Sequence, residues 1–280
     1  MFFKLFRYDL KVGIGYRYKK ILMVIAIFSV SFIDFFFKFK SYTSSPTLFP
    51  IDGSLGNVLF YVFGGMQEYD PHWDKQFIFP AKWMLLYLLL AYLTLYYPYN
   101  NLFEHGQNIL IRSGGRCLWW TSKCLWNICT VLLFFLIGWA VLLLGCIIAK
   151  IPISLELSRN MWMFLGMREF GQYLYPRNLS LEILLLPILV MMACNILQMT
   201  LSLFIRPIYS FMITGLLLLG SAYYQSPFLI GNYAMPIRSN RMIENGMNPY
   251  CGILFSAVLV IGCFILGLFY FKKYDILKKE

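Results

Sequence analysis

Charge is scarce in this chain. Only 13% of its 280 residues are Asp, Glu, Lys or Arg, about half the usage of a soluble domain, so a water-facing surface cannot be covered. The seven cysteines include no CxxC pair, which argues against a zinc ribbon or a disulfide framework. Most fall inside apolar stretches or at their ends and read as small packing residues. The only histidines, His72 and His105, are too few and too far apart for a metal cluster. No GxxxxGKS or GxxxxGKT loop occurs, so the chain does not hydrolyse ATP by the usual P-loop route. HExxH, GxSxG and paired carboxylates within one apolar stretch are missing too, and the chain reads as no enzyme. Glu104 beside His105 is a poor acid–base pair, because neighbours on a helix point in different directions. Internal repeats, low-complexity tracts and a separate soluble domain are also absent. No basic patch is interleaved with base-stacking aromatics, which excludes a nucleic-acid partner despite a formal charge of +11.

Apolar residues, by contrast, make up 60% of the chain. They fall into six blocks: 21–37, 83–97, 124–149, 181–205, 208–224 and 253–271. A helix that crosses lipid needs about 20 mostly apolar residues, and flanking tyrosines extend the two shorter blocks, 83–97 and 208–224. The expectation is an all-α integral membrane protein with six transmembrane helices and both termini cytoplasmic, located in the cell membrane. The first block runs too long for a signal peptide and is followed by Lys38 and Lys40 without a cleavage pattern. Orientation follows from basic residues. With both ends inside, the inner side holds 14 of the 24 Lys and Arg against Asp9, Glu104, Asp275 and Glu280; Lys38 and Lys40 run against this rule. Anionic lipid is the partner that such flanks suit.

Residues 1–20 mix Phe2, Phe3, Leu5, Phe6 and Leu10 with Lys4, Arg7, Lys11 and Arg17, a composition that suits an amphipathic interfacial helix in the inner leaflet. The alternative is a frayed basic tail. The long outer loop, 38–82, contains an apolar run from Leu55 to Met66, too short to cross; it reads as a re-entrant segment, an interfacial segment or the core of a small cap. Two further outer loops, 150–180 and 225–252, carry scattered charges. Asp34 reads as the one embedded carboxylate, at the outer end of the first block and within reach of the headgroups. Asn195, Gln198 and Ser202 share one helical face, as do Ser210, Thr214 and Ser221. Turned inward, they serve helix packing or line a translocation path. Gly138 and Gly145, seven residues apart, read as a close-packing face. Trp119, Trp120 and Lys123 read as an aromatic and basic anchor at a helix entrance.

The segment between the second and third blocks combines Glu104-x-Gly106, Arg112-Ser113-Gly114-x-Arg116 and Trp119-Trp120-x-x-Lys123. With the amphipathic start, the six blocks, Gln198-Met199 to Arg206-Pro207, and Gly231-Asn232-Tyr233-Ala234-Met235 near Arg238, it resembles the membrane permease subunits of Gram-positive type-2 ABC exporters. The resemblance covers most of the chain, on motifs far less specific than a nucleotide-binding fingerprint. It implies that residues 98–123 form a cytoplasmic coupling loop seated in a groove of a separate ATPase, with Glu104, Gln107, Arg112, Ser113 and Arg116 as contacts. Gly114-Gly115 departs from a continuous helix, which would then end near Arg112. It also implies two ATPase subunits carrying ATP and Mg, and a second permease copy or paralogue. This chain would bind no cofactor. An amphiphilic peptide, lipid or antibiotic would suit such a bundle as cargo. A reading of a different class is a membrane-embedded immunity, sensor or scaffold protein that binds a partner without transport.

Overall fold

A computed structural model describes residues 2–15, 18–44, 51–72, 76–102, 116–158, 160–166, 179–243 and 245–273. Among them the secondary structure is helical, and an isolated β-bridge joins Ser239 and Met247. The α-helices are α1 (Phe2–Gly13), α2 (Tyr18–Ser44), α3 (Leu55–Phe63), α4 (Ala81–Asn101), α5 (Arg116–Ile148), α6 (Met161–Phe164), α7 (Leu186–Leu201), α8 (Pro207–Tyr223) and α9 (Pro249–Lys273). A π-helical turn, Leu181–Leu185, leads into α7, and two 3-10 turns, Ile230–Ala234 and Pro236–Arg238, lie between α8 and α9.

Four helices are long and apolar enough to cross a membrane: Tyr18–Ser44, Cys117–Ile148, Leu181–Leu201 and Pro249–Lys272. The other two expected spans fall short for different reasons. Helix α8 has 17 residues, about 26 Å at 1.5 Å per residue, against a hydrocarbon core of about 30 Å. Helix α4 has 21 residues, but Tyr87, Tyr92, Tyr96, Tyr97 and Tyr99 dilute its apolar character. The ends of the first and third blocks also differ from expectation. Helix α2 continues through Lys38 and Lys40, and α5 begins well before residue 124, so Trp119, Trp120 and Lys123 are helical. The loop expected for coupling, 98–123, is correspondingly helical at both of its ends, since α4 runs through Pro98 to Asn101 and α5 starts at Arg116.

The six long helices alternate in direction. Residues at the starts of α5 and α8 and at the ends of α4, α7 and α9 border one cleft, while Lys20, at the start of α2, bonds the α4 carbonyl of Leu93. Sequence periodicity explains which faces meet. On α7, Val190, Met191, Ala193 and Cys194 are fully buried, because α4, α5, α8 and α9 all pack against this helix. The peripheral faces carry exposed apolar side chains, among them Val30 and Phe37 of α2, Leu216 of α8 and Leu254, Val258 and Phe269 of α9. Apolar exposure on that scale suits lipid rather than water. All seven cysteines are free thiols, and Cys124, Cys146, Cys194 and Cys263 pack inside.

The close-packing reading of Gly138 and Gly145 holds. A Cβ on Gly138 would lie 2.4 Å from the Phe28 ring, and one on Gly145 would lie 2.8 Å from the Phe32 ring. Phe28 and Phe32 are one turn apart on α2, so the two rings seat α2 directly on α5. Gly138→Ala therefore overpacks a buried contact. We expect it to destabilise the fold by about 1–3 kcal/mol, read as a lower unfolding midpoint in mild detergent, whereas Gly262→Ala on α9, which meets open space within a helix, does not lower the midpoint.

Two segments between the long helices fold into the bundle. Helix α3 buries nearly every residue. Ser54 caps it by accepting a 3.0 Å bond from the Asn57 amide. The same turn is held to the segment after α5, where the Gly56 amide donates to the Ser154 carbonyl at 2.8 Å and Ser54 Oγ to that of Glu156 at 2.7 Å. Residues 230–239, expected as part of an outer loop with scattered charges, are buried without a break. They form a plug against α4, where Trp83 Nε1 and Tyr87 Oη donate to the Ala234 carbonyl at 3.2 Å and 3.4 Å.

Candidate functional site

At the end of the bundle where α2, α5 and α8 begin, the first helix is docked as well as amphipathic. Lys4, Arg7 and Lys11 stay exposed, while Asp9 and Gly13, four residues apart, are buried. Asp9 receives Ser122 Oγ at 2.6 Å and Tyr97 Oη at 2.9 Å. It also forms an ion pair with Lys123, both side chains 0% exposed. The Lys123 ammonium lies over the rings of Tyr97 and Trp119, at 4.7 Å and 5.1 Å. Gly13 permits the approach, since a Cβ there would stand 2.3 Å from Trp126 Nε1. The anchor reading of Trp119, Trp120 and Lys123 is thereby corrected. Lys123 is consumed by a buried carboxylate, Trp119 donates to Asn101 Oδ1 at 3.3 Å, and Trp120 donates to the Phe264 carbonyl at 3.0 Å while stacking on Phe271.

Beside this latch opens a cleft of about 390 Å³, bordered by Pro98, Tyr99, Trp119, Trp120, Arg206, Tyr270 and Phe271 among others. Among the described residues no carboxylate lines it, and Arg206 is exposed at its rim. The helix ends that flank the proposed coupling segment, at Leu102 and Trp119, both lie on its wall. Glu104, Gln107, Arg112 and Ser113 fall outside the described residues, as does the side chain of Arg116.

The polar residues suggested for a path are all buried within one chain. Ser202, Ser210 and Thr214 donate to carbonyls of their own helices, at Met199, Pro207 and Ser210. Gln198 instead crosses to α4, donating Nε2 to the Ala91 carbonyl at 2.9 Å. Asn195 accepts at its backbone carbonyl from Asn127 Nδ2 of α5 at 3.3 Å. Among these five residues, helix-to-helix bonding thus belongs to the amides, and helix-internal bonding to the hydroxyls.

The opposite end is organised by Arg238, a fully buried guanidinium. Its Nε donates to the Met66 carbonyl at 3.0 Å and Nη2 to those of Gln67 and Ala222, at 3.1 Å and 2.6 Å. Nη1 serves the Ser221 and Tyr224 carbonyls, at 2.5 Å and 3.3 Å, and Asn232 Oδ1. Ser221 and Ala222 lie in the last turn of α8, where carbonyls lack intrahelical partners, so this side chain caps α8 and ties it to the plug and to residues 66–67. Burial pushes the guanidinium pKa down to about 10, against the opposing pull of Glu68, and it stays protonated at neutral pH.

Asp34 is paired rather than solitary. It meets Lys82 and, at 3.6 Å, Lys38, and it accepts from Tyr61 Oη at 2.7 Å, linking α2, α3 and α4. Burial, with the Asp34 carboxylate second, raises the Tyr61 hydroxyl well above its usual range. Nor is Asp34 the one embedded carboxylate, as expected from the sequence. Glu182, on the π-helical turn, is 1% exposed, pairs with Arg241 at 3.3 Å and leaves Oε2 without a partner. Among the described residues no group of His, Cys, Asp and Glu could hold a metal ion.

Sequence reasoning passed over Asp9, Asn127 and Glu182 as site residues. Asp9 carried a usable signal, being the only acid before Asp34 in a run of bases. No family model matches the chain, and neither a curated protein nor a solved structure matches it.

Proposed function

We propose that this chain is the permease subunit of an ABC exporter in the cell membrane, with six spans and its basic end in the cytoplasm, working as a homodimer or heterodimer above two ATPase subunits. The observation that carries the reading is at the basic end. The two helices flanking residues 103–115 meet on one aromatic cleft, and α5 is locked there to α1 through Asp9 and Lys123. A push on the coupling segment would therefore reach α1, α4, α5 and, through Phe271, α9 as one body. The alternation of six long helices and the bases of α1 and Arg206 at that end agree with the orientation. ATP and Mg would reside on the ATPases. Nucleotide-driven closure would draw the coupling segments together and switch an amphiphilic cargo from inward to outward access.

Charge reversal of Arg112 and Arg116 to Glu tests the docking role. We expect the doubly substituted chain to insert and fold normally yet lose co-purification of the ATPase. Retained ATPase would remove these residues from the contact.

A further inference from the structure

Polar atoms are left unpartnered where the bundle is most enclosed. Asn127 of α5 and Asn195 and Gln198 of α7 are 0%, 1% and 2% exposed. They touch one another's elements, since Asn127 Nδ2 donates to the Asn195 carbonyl and lies 4.0 Å from Met199 Sδ, while Gln198 reaches α4. Yet Asn127 Oδ1, Gln198 Oε1 and both side-chain atoms of Asn195 have no partner. Flipping an amide exchanges its N and O, but a flip cannot help Asn195, where both are unpaired. Buried polar groups are nearly always satisfied, and leaving them bare is costlier still within lipid.

We propose that Asn127, Asn195 and Gln198 form an internal hydration site, with ordered water bound between α4, α5 and α7. The chemistry selects the occupant. Asn195 needs a partner that accepts from Nδ2 and donates to Oδ1; a metal ion cannot accept from Nδ2, and an anion cannot donate to Oδ1. None of the three amides carries a charge to balance an ion in a low-dielectric interior. Water donates and accepts at once, and bridging otherwise unsatisfied groups is its usual place inside proteins. The site is independent of the transport reading, since it rests on burial and valence alone.

Radiolytic footprinting of the full chain in detergent tests the site, because radicals form where water is bound and methionine oxidises readily. Met191 lies one turn from Asn195 on the same face, is fully buried and is not part of the cleft wall. Met84 of α4, buried in the same apolar core as Met191, is the comparison. Oxidation of Met191 several-fold faster than Met84 is expected; equal, slow oxidation of the two overturns the proposal. Asn195→Leu, close in shape, supplies a second readout. Removing the water leaves Asn127 Oδ1 and Gln198 Oε1 bare and lowers the unfolding midpoint by about 3 °C. A raised midpoint would mean that the seam is dry and would overturn the assignment.

Discussion

Lys123→Met will destabilise the protein by about 3–5 kcal/mol, the cost of leaving one member of a buried ion pair without its partner. Asp9 would remain fully buried among Tyr97 and Ser122, with two hydroxyl donors and no opposite charge. Asp9→Leu should cost a similar amount by stranding the ammonium. Combining the two removes both charges, and apolar replacements of buried ion pairs are often neutral or stabilising. The double variant is therefore expected to recover most of the loss. A double-mutant cycle on unfolding midpoints in one detergent measures this, and strictly additive losses would show that the two side chains act separately. Release of α1 should accompany each single variant, read as new protease cleavage near residues 14–18, and be suppressed in the double.

Arg238→Met is expected to be the other severe substitution, with a loss of at least about 3 kcal/mol. One side chain serves five backbone carbonyls and Asn232 Oδ1, and each buried acceptor left bare costs about 1–3 kcal/mol before relaxation. Arg238→Lys should rescue little. An ammonium has three donors from one point, whereas here a planar fork spans α8, the plug and residues 66–67. Hydrogen exchange at residues 230–239 provides the readout: fast exchange is expected in both variants, and wild-type protection in Arg238→Lys would show that charge alone suffices. Damage should be concentrated at this end, with the α1 latch at the other end intact.

The helices long and apolar enough to cross a membrane were legible because lipid demands long apolar runs, and α2, α5, α9 and α7 with its leading π-helical turn have them. Boundaries were less legible. Helix α5 starts early because Trp119, Trp120 and Lys123 find internal partners in Asn101, Phe264 and Asp9, and no local pattern distinguishes those from an interfacial anchor. The plug was illegible for a related reason. Residues 230–239 have no helical or strand period, and their burial depends on bonds to Trp83, Tyr87, Met66 and Gln67, far away in the chain. Glycine spacing was a better guide, since Gly138 and Gly145 had to admit something large and Phe28 and Phe32 fill that role. The face shared by Asn195, Gln198 and Ser202 was visible in the spacing, but its division into helix-crossing amides and a self-bonded hydroxyl was not. Asn127, the facing residue on α5, had no periodic partner to announce it.

The most direct test of the permease reading is to purify the tagged chain from its native membrane in mild detergent and identify by mass spectrometry what remains bound. The reading predicts a stoichiometric ABC ATPase, one copy per chain in a homodimer and two per chain in a heterodimer, lost when Arg112 and Arg116 are reversed to Glu. Absence of an ATPase across several mild detergents, with a different stoichiometric partner or none, would contradict it and favour an immunity, sensor or scaffold protein.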